Sequence, residues 1–131
     1  MTAEPIHDAS EELYREQLLD RYREPQHRGR PERFDHSHRE LNVTCGDTCE
    51  VFVRFDEGHV GEARFEGRGC AISMAAADLL MEAMVGKSAT EISALTEADM
   101  LKILGVPVGP ARLKCATLAL KTLQKALLEQ K

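Results

Sequence analysis

The sequence predicts an α+β fold, with helices packed on one face of a small antiparallel sheet. Two observations predict it. Apolar residues recur at helical spacing near the N-terminus, alternate with period two between residues 49 and 66, and return to helical spacing from residue 71 onward. The alternating stretch is interrupted at Asp56-Glu57-Gly58, a hairpin turn signal that makes its two halves antiparallel neighbours. Strands grouped together and followed by a run of helices indicate segregated layers rather than alternating βα units.

The first helix opens at Asp8, with Glu11 three residues later as capping-box partner. Tyr14, Leu18 and Tyr22 form its apolar stripe, and Pro25 ends it. Residues 24–39 are polar, with Pro and Gly, and read as a loop. Cys49, Val51, Val53 and Phe55 share one parity and Glu50, Arg54 and Asp56 the other, the pattern of a half-buried strand. Phe52 is the large apolar exception on the polar side. After the turn, His59 to Glu66 returns with Ala63 and Phe65 inward, and Gly67-Arg68-Gly69 breaks the strand.

From Ala71 the helical period runs through Ile72, Ala75, Ala76, Leu79, Leu80 and Ala83, and Gly86 closes that helix. Shorter helices are expected at 88–94 and 96–104, then a rigid connector from Gly105 to Pro110. Pro110 suits a first helical turn, and Leu113, Ala116, Leu120, Leu123 and Leu127 make the stripe of the last helix. No internal repeat or low-complexity tract divides the chain, so residues 1–131 are expected to be one domain with a flexible segment at 1–8.

Composition narrows the function. A chain of 131 residues with 43% apolar content can bury a core without metal or disulfides. A net charge of −5 argues against nucleic-acid binding through phosphate contacts. No apolar run approaches the roughly 20 residues of a membrane span. The start, Met1-Thr2-Ala3-Glu4, shows no signal-peptide pattern, so a cytoplasmic location is expected. Four cysteines in such a setting point to metal or thiol chemistry.

Three cysteines sit at element boundaries: Cys45 in a turn before a strand, Cys70 between a strand and a helix, Cys115 in the first turns of the last helix. Such positions can converge at one end of a sheet. Cys70 and Cys115 lie near helix N-termini, where the dipole favours thiolate, and Arg68, Arg112 and Lys114 act in the same direction. Gly46 and Gly69 flank sulfurs and allow backbone to approach a ligand. Spacing alone leaves two readings, a distributed metal site or three small buried hydrophobes. Asp47 is either a fourth ligand completing a tetrahedral set for zinc, or a turn residue. Cys49 points inward with its strand and reads as packing. His36 and His38 have metal-binding spacing but fall in the charged loop, and His7, His27 and His59 read as solvated.

Asn42-Val-Thr-Cys-Gly-Asp47, Glu66-Gly-Arg-Gly-Cys-Ala-Ile-Ser-Met74 and Ala111-Arg-Leu-Lys-Cys-Ala116 occur in an order that resembles the NifU N-terminal family of iron–sulfur cluster assembly proteins, with its IscU and SufU types. The segment Leu13 to Pro25 fits as well, and the resemblance covers roughly residues 11–128. It implies a three-stranded antiparallel sheet with helices on one side. It implies that Cys45, Asp47, Cys70 and Cys115 hold zinc or a transient iron–sulfur cluster. It implies as partners a pyridoxal-phosphate-dependent cysteine desulfurase, which delivers sulfur as a persulfide, and downstream proteins that accept or carry clusters.

The chain departs from both types. Lys114 stands where the IscU type carries a histidine, and with Arg112 it is similar to the SufU type. The interval from Cys70 to Cys115 leaves no room for the insertion usual in the SufU type. Residues 104–108, Leu-Gly-Val-Pro-Val, alter the segment that the IscU type offers its chaperone. Two roles follow from the resemblance, neither a stand-alone enzyme. One is a scaffold, with Cys115 as the persulfide acceptor; the other is a zinc-dependent sulfur carrier, with Cys45 as acceptor. A structural zinc adaptor is the alternative of a different class.

Overall fold

The computed structural model describes residues 9–43 and 46–128, with side chains from residue 16 onward within those ranges. The expected flexible segment 1–8, the cap at Asp8, the Tyr14 side chain and Cys45 lie outside the described residues.

The chain runs α1 (Ala9–Arg23), β1 (His36–Asn42), β2 (Asp47–Asp56), β3 (His59–Arg68), α2 (Ala71–Met84), α3 (Ala89–Ser93), α4 (Glu97–Leu104), and a 3₁₀ turn (Pro110–Arg112) leading into α5 (Leu113–Leu128). The three strands form an antiparallel sheet in the order β1-β2-β3. The inner face presents Val51, Val53, Ala63 and Phe65, each at most 1% exposed. Helices α2 and α5 cover that face, and α1 packs on α2. Ala75, Ala76 and Leu80 from α2 meet Ala116, Leu120 and Leu123 from α5 in the same core. Ala75 and Ala76 of α2 and Ala116 of α5 are small, which lets both helices approach the sheet and one another closely. The short helices start at capping boxes, Ser88 with Glu91 and Thr96 with Asp99. Among the described residues no helix is long and apolar enough to cross a membrane.

The expected loop 24–39 is corrected over its last four residues, which belong to β1. The inward-facing positions of this strand are His36, His38, Glu40 and Asn42, so no hydrophobic alternation marks it. Backbone pairing to β2 makes the strand, and α5 satisfies its polar inner face. Lys125 Nζ donates to Glu40 Oε2 at 2.6 Å, and His38 Nε2 lies 2.9 Å from the same oxygen. The lysine bond and then the His38 contact hold the Glu40 carboxyl below its usual range. A second correction concerns β3, which continues through the expected break: Gly67 pairs with Cys49 and Arg68 with Thr48. A third concerns α1, where Leu18 is buried but Tyr22 is 44% exposed, so the tyrosine does not extend the stripe.

Residues 24–35 form a strap across the outer face of the sheet. Gly29 N donates to Phe65 O at 2.8 Å and Phe65 N to His27 O at 3.0 Å, a one-residue parallel bridge on the outer edge of β3. Further along, Phe34 meets Phe52 edge-on at 5.1 Å, and the Arg30 guanidinium sits over both rings at 5.0 and 5.3 Å. That cover explains the apolar exception on the polar side of β2: Phe52 is 2% exposed. The strap is fastened at its start by Asp78 of α2, a fully buried carboxylate. Asp78 accepts from Arg21 Nη1 at 2.9 Å, Gln26 N at 2.9 Å and His27 N at 2.7 Å. His27, expected to be solvated, is therefore tethered by its backbone and half-buried.

Candidate metal centre

One end of the sheet gathers three candidate ligand side chains from three elements. Asp47 is the first residue of β2, Cys70 precedes α2, and Cys115 lies in the first turn of α5. A carboxylate oxygen of Asp47 and the sulfurs of Cys70 and Cys115 all lie within 4.8 Å of one another. Asp47 and Cys115 are buried, and Cys70 is partly exposed, so the group opens to solvent on the Cys70 side.

Cys70 is the N-cap of α2. Its backbone is extended, and its Sγ accepts from Ser73 N at 3.5 Å, the bond a serine or aspartate oxygen makes at an ordinary N-cap. The end of β3 and the start of α2 thus fix this sulfur by a local rule of helix initiation. Asp47 is held close to it by Gly69. A side chain there would meet Asp47 Oδ1 at 2.9 Å and Ser73 Oγ at 3.0 Å, so only a hydrogen leaves the carboxylate room. Gly46 contributes differently. A side chain there would meet open space, but its φ of +74° is the left-handed turn that delivers the chain to β2. The expected close approach therefore belongs to Gly69 and a turn conformation to Gly46.

The donors suit a metal ion. Asp47 Oδ2 is buried and has no hydrogen-bond partner, whereas buried carboxylate oxygens are normally satisfied. Burial of an unpaired carboxylate oxygen is costly. Two sulfurs lie within 4.8 Å of this carboxylate, and a set of two thiolates and a carboxylate matches the ligand preference of zinc with one position left to fill. Among the described residues these three alone form such a group. Cys45, expected as the fourth member, lies outside the described residues.

The other sequence candidates fall elsewhere. Cys49 is the next inward residue of β2, 1% exposed, and does not join the group. Burial pushes its thiol up to about 12, against a smaller opposing effect of a hydrogen bond with Thr122. His36 and His38 lie on β1, not in a loop, and neither belongs to the group. His36 stands edge-on to the Phe55 ring at 5.4 Å. His59 is exposed. Arg112 and Lys114 are exposed on the turns that lead to Cys115. Sequence reading missed Ser73. It had a signal, since a cysteine directly before an Ala-rich helix occupies the N-cap and its third following residue donates to it.

The NifU-like N-terminal domain model matches residues 13–131, nearly the whole chain. The chain belongs to this family. The IscU iron–sulfur cluster assembly scaffold protein of Thermotoga maritima is 34% identical, with 88% of this chain and 92% of that protein covered. The zinc-dependent sulfurtransferase SufU of Bacillus subtilis is 32% identical, with 90% of this chain and 91% of that protein covered. A crystal structure from Fervidobacterium islandicum, described as a candidate iron–sulfur cluster assembly scaffold for the SUF system, superimposes with a TM-score of 0.73 at 27% identity. It covers 91% of this chain and 99% of its own. The three-stranded sheet with helices on one face is the fold of this NifU-like domain, as the motif resemblance implies.

Proposed function

We propose that this NifU-like domain serves iron–sulfur cluster assembly. It takes sulfur from a cysteine desulfurase and holds a cluster transiently, as cargo, before an acceptor protein takes it. The observation that carries this reading is the Asp47 carboxylate, within 4.8 Å of the sulfurs of Cys70 and Cys115 and with its buried Oδ2 unpartnered. A closed structural zinc site uses four tight ligands. A carboxylate among thiolates is harder and more exchangeable towards a soft metal, which suits release. The names carried by the T. maritima and B. subtilis relatives support the same chemistry.

Sulfur acceptance is a thiol exchange. A chain thiolate, Cys115 in the scaffold reading, attacks the terminal sulfur of the partner's persulfide. A sulfur–sulfur bond forms to the chain, the partner's sulfur–sulfur bond breaks, and the partner leaves as thiolate. The proton stays on the transferred sulfur, and no external oxidant or reductant is needed. Asp47, Cys70 and Cys115, with Cys45, are the residues that would hold zinc or iron. When bound, the metal keeps these thiols deprotonated.

A second reading, the zinc-dependent sulfur carrier with Cys45 as acceptor, is favoured by Lys114 directly before Cys115 and by the similarity to SufU. One experiment separates the two. The chain is purified without oxygen, its metal measured, and its visible spectrum recorded before and after adding iron, cysteine and a desulfurase. Scaffold behaviour predicts a growing sulfide-to-iron absorption band, a longer-lived cluster in Asp47→Ala, and slower transfer from that variant. Carrier behaviour predicts zinc, no band in either form, and weaker zinc binding with less desulfurase stimulation in Asp47→Ala. An Asp47→Ala variant equal to wild type in all of these returns Asp47 to a turn role and removes the proposed site.

A further inference from the structure

We propose that Arg28 is a positioning residue for this site: its guanidinium braces the β3–α2 turn and thereby holds the Cys70 sulfur opposite Asp47 and Cys115. The inference rests on the metal-binding reading above and names a part of the machinery outside the cysteine motifs.

Arg28 comes from the strap, on the outer edge of β3. Its Nη2 donates to Gly67 O at 2.5 Å, three residues before Cys70. Its Nη1 lies 3.9 Å from Met74 Sδ, four residues after Cys70. One planar group therefore touches the chain on both sides of the N-cap sulfur. Two further contacts orient it: Nε is 3.5 Å from Glu66 Oε1, and the guanidinium carbon is 5.7 Å from the centroid of the Phe65 ring. Arginine suits this task because its donors leave in fixed directions, so one group can hold a carbonyl while stacking on a ring.

The brace itself is anchored. The Gly29–Phe65 and Phe65–His27 backbone bonds fix Arg28 Cα against β3, and Asp78 fixes the two residues before it. The chain it grips is the end of β3, which the ladder to Cys49 and Thr48 and the bond from Arg68 N to Thr48 Oγ1 hold on the β2 side, while Arg28 holds it from the outer edge. Gly67 and Gly69 carry no side chains, and Arg68 is exposed. Cys70 is the partly exposed member of the group, so freedom in this turn becomes freedom of its sulfur. A ligand set assembled only part of the time binds more weakly in proportion to that fraction. The Arg28 side chain is 41% exposed and its pair Glu66 46%, so its contacts add little to global stability.

The test compares Arg28→Ala and Arg28→Lys with Arg30→Ala, a control in the same strap that grips Phe34 and Phe52 rather than the turn. Two readouts are taken: cobalt(II) affinity from its thiolate charge-transfer band, and, in metal-free protein, amide exchange at Ser73 with the alkylation rate of Cys70. Arg28→Ala should bind cobalt about tenfold more weakly, the lower end of the range for residues that orient metal ligands. Its Ser73 amide should exchange faster and its Cys70 react faster, with thermal stability nearly unchanged. Arg28→Lys should fall between it and wild type, and Arg30→Ala should match wild type. Unchanged exchange in Arg28→Ala overturns the proposal, as does unchanged cobalt affinity despite faster exchange, or an equal effect of Arg30→Ala. A wild-type chain that binds no cobalt refutes the metal-binding reading itself, and the exchange data still decide whether Arg28 braces the turn.

Discussion

Cys49 and Cys70 show how one residue type takes opposite roles within one fold. Position separates them: Cys70 caps α2, whereas Cys49 shares the inward side of β2 with Val51 and Val53, and burial raises its thiol to about 12. At pH 8 it is a neutral thiol without access to solvent. Cys49→Ala should keep metal binding and sulfur acceptance and lose about 1 kcal/mol of stability, a small core-packing loss. In metal-free protein, an alkylating reagent followed by peptide mass mapping should label Cys70 well before Cys49. Early labelling of Cys49, or loss of metal in Cys49→Ala with the fold intact, contradicts the parity argument. At this scale much was legible beforehand: Asp47 and Cys70 could be picked out as boundary residues beside glycines, and Cys115 as a boundary residue in the first turns of the last helix. Their convergence was expected from the boundary positions and from the family resemblance, not from a local pattern, because no local pattern encodes a meeting of residues from three elements.

Elements were legible in proportion to how much apolar surface they bury locally. β2, β3, α2 and α5 each carry a periodic apolar face and fall where periodicity places them. β1 escaped because its inner face is His36, His38, Glu40 and Asn42, and its place is set by backbone pairing with β2. The strap escaped because its anchors lie far away in sequence, above all at Asp78. That carboxylate is the element-scale weak point, since three donors converge on a fully buried group. Asp78→Ala leaves Arg21 and two backbone N–H groups without their acceptor and should cost about 3 kcal/mol. Asp78→Asn keeps an acceptor and should cost less. Urea unfolding would give the energies, and amide exchange at Gln26 and His27 would show the strap loosening first. A stable Asp78→Ala with both amides still protected would show that the strap is held by its aromatic contacts instead.

Across the whole molecule, the proposed metal site would link metal and fold by mass action. Its ligand set, drawn from β2, the α2 N-cap and α5, exists only when those elements are assembled, so binding there would favour the native state. With free zinc a thousandfold above its dissociation constant the gain is about 4 kcal/mol. For a chain of this length that corresponds to roughly 10–20 °C in melting temperature. Adding a chelator should remove that increment from wild type and from Cys49→Ala. The Cys70→Ser, Cys115→Ser double variant should show no increment at all, and one that melts with the full zinc shift would exclude these sulfurs as ligands.

The N-cap of α2 carries one more consequence. The atom that begins this helix, Cys70 Sγ, is also the atom offered to the site, and Ser73 N donates to it. A helix ordinarily spends a dedicated oxygen on its first turn and keeps its chemistry elsewhere. Here initiation and reactivity share one sulfur, so any charge or group placed on that sulfur is felt first as a change at a helix start. The same rod, 14 residues from Ala71 to Met84, carries Asp78 and through it the strap on the far side of the sheet. The chemical front and the structural back of the molecule hang from a single stiff member, pivoted at the thiol.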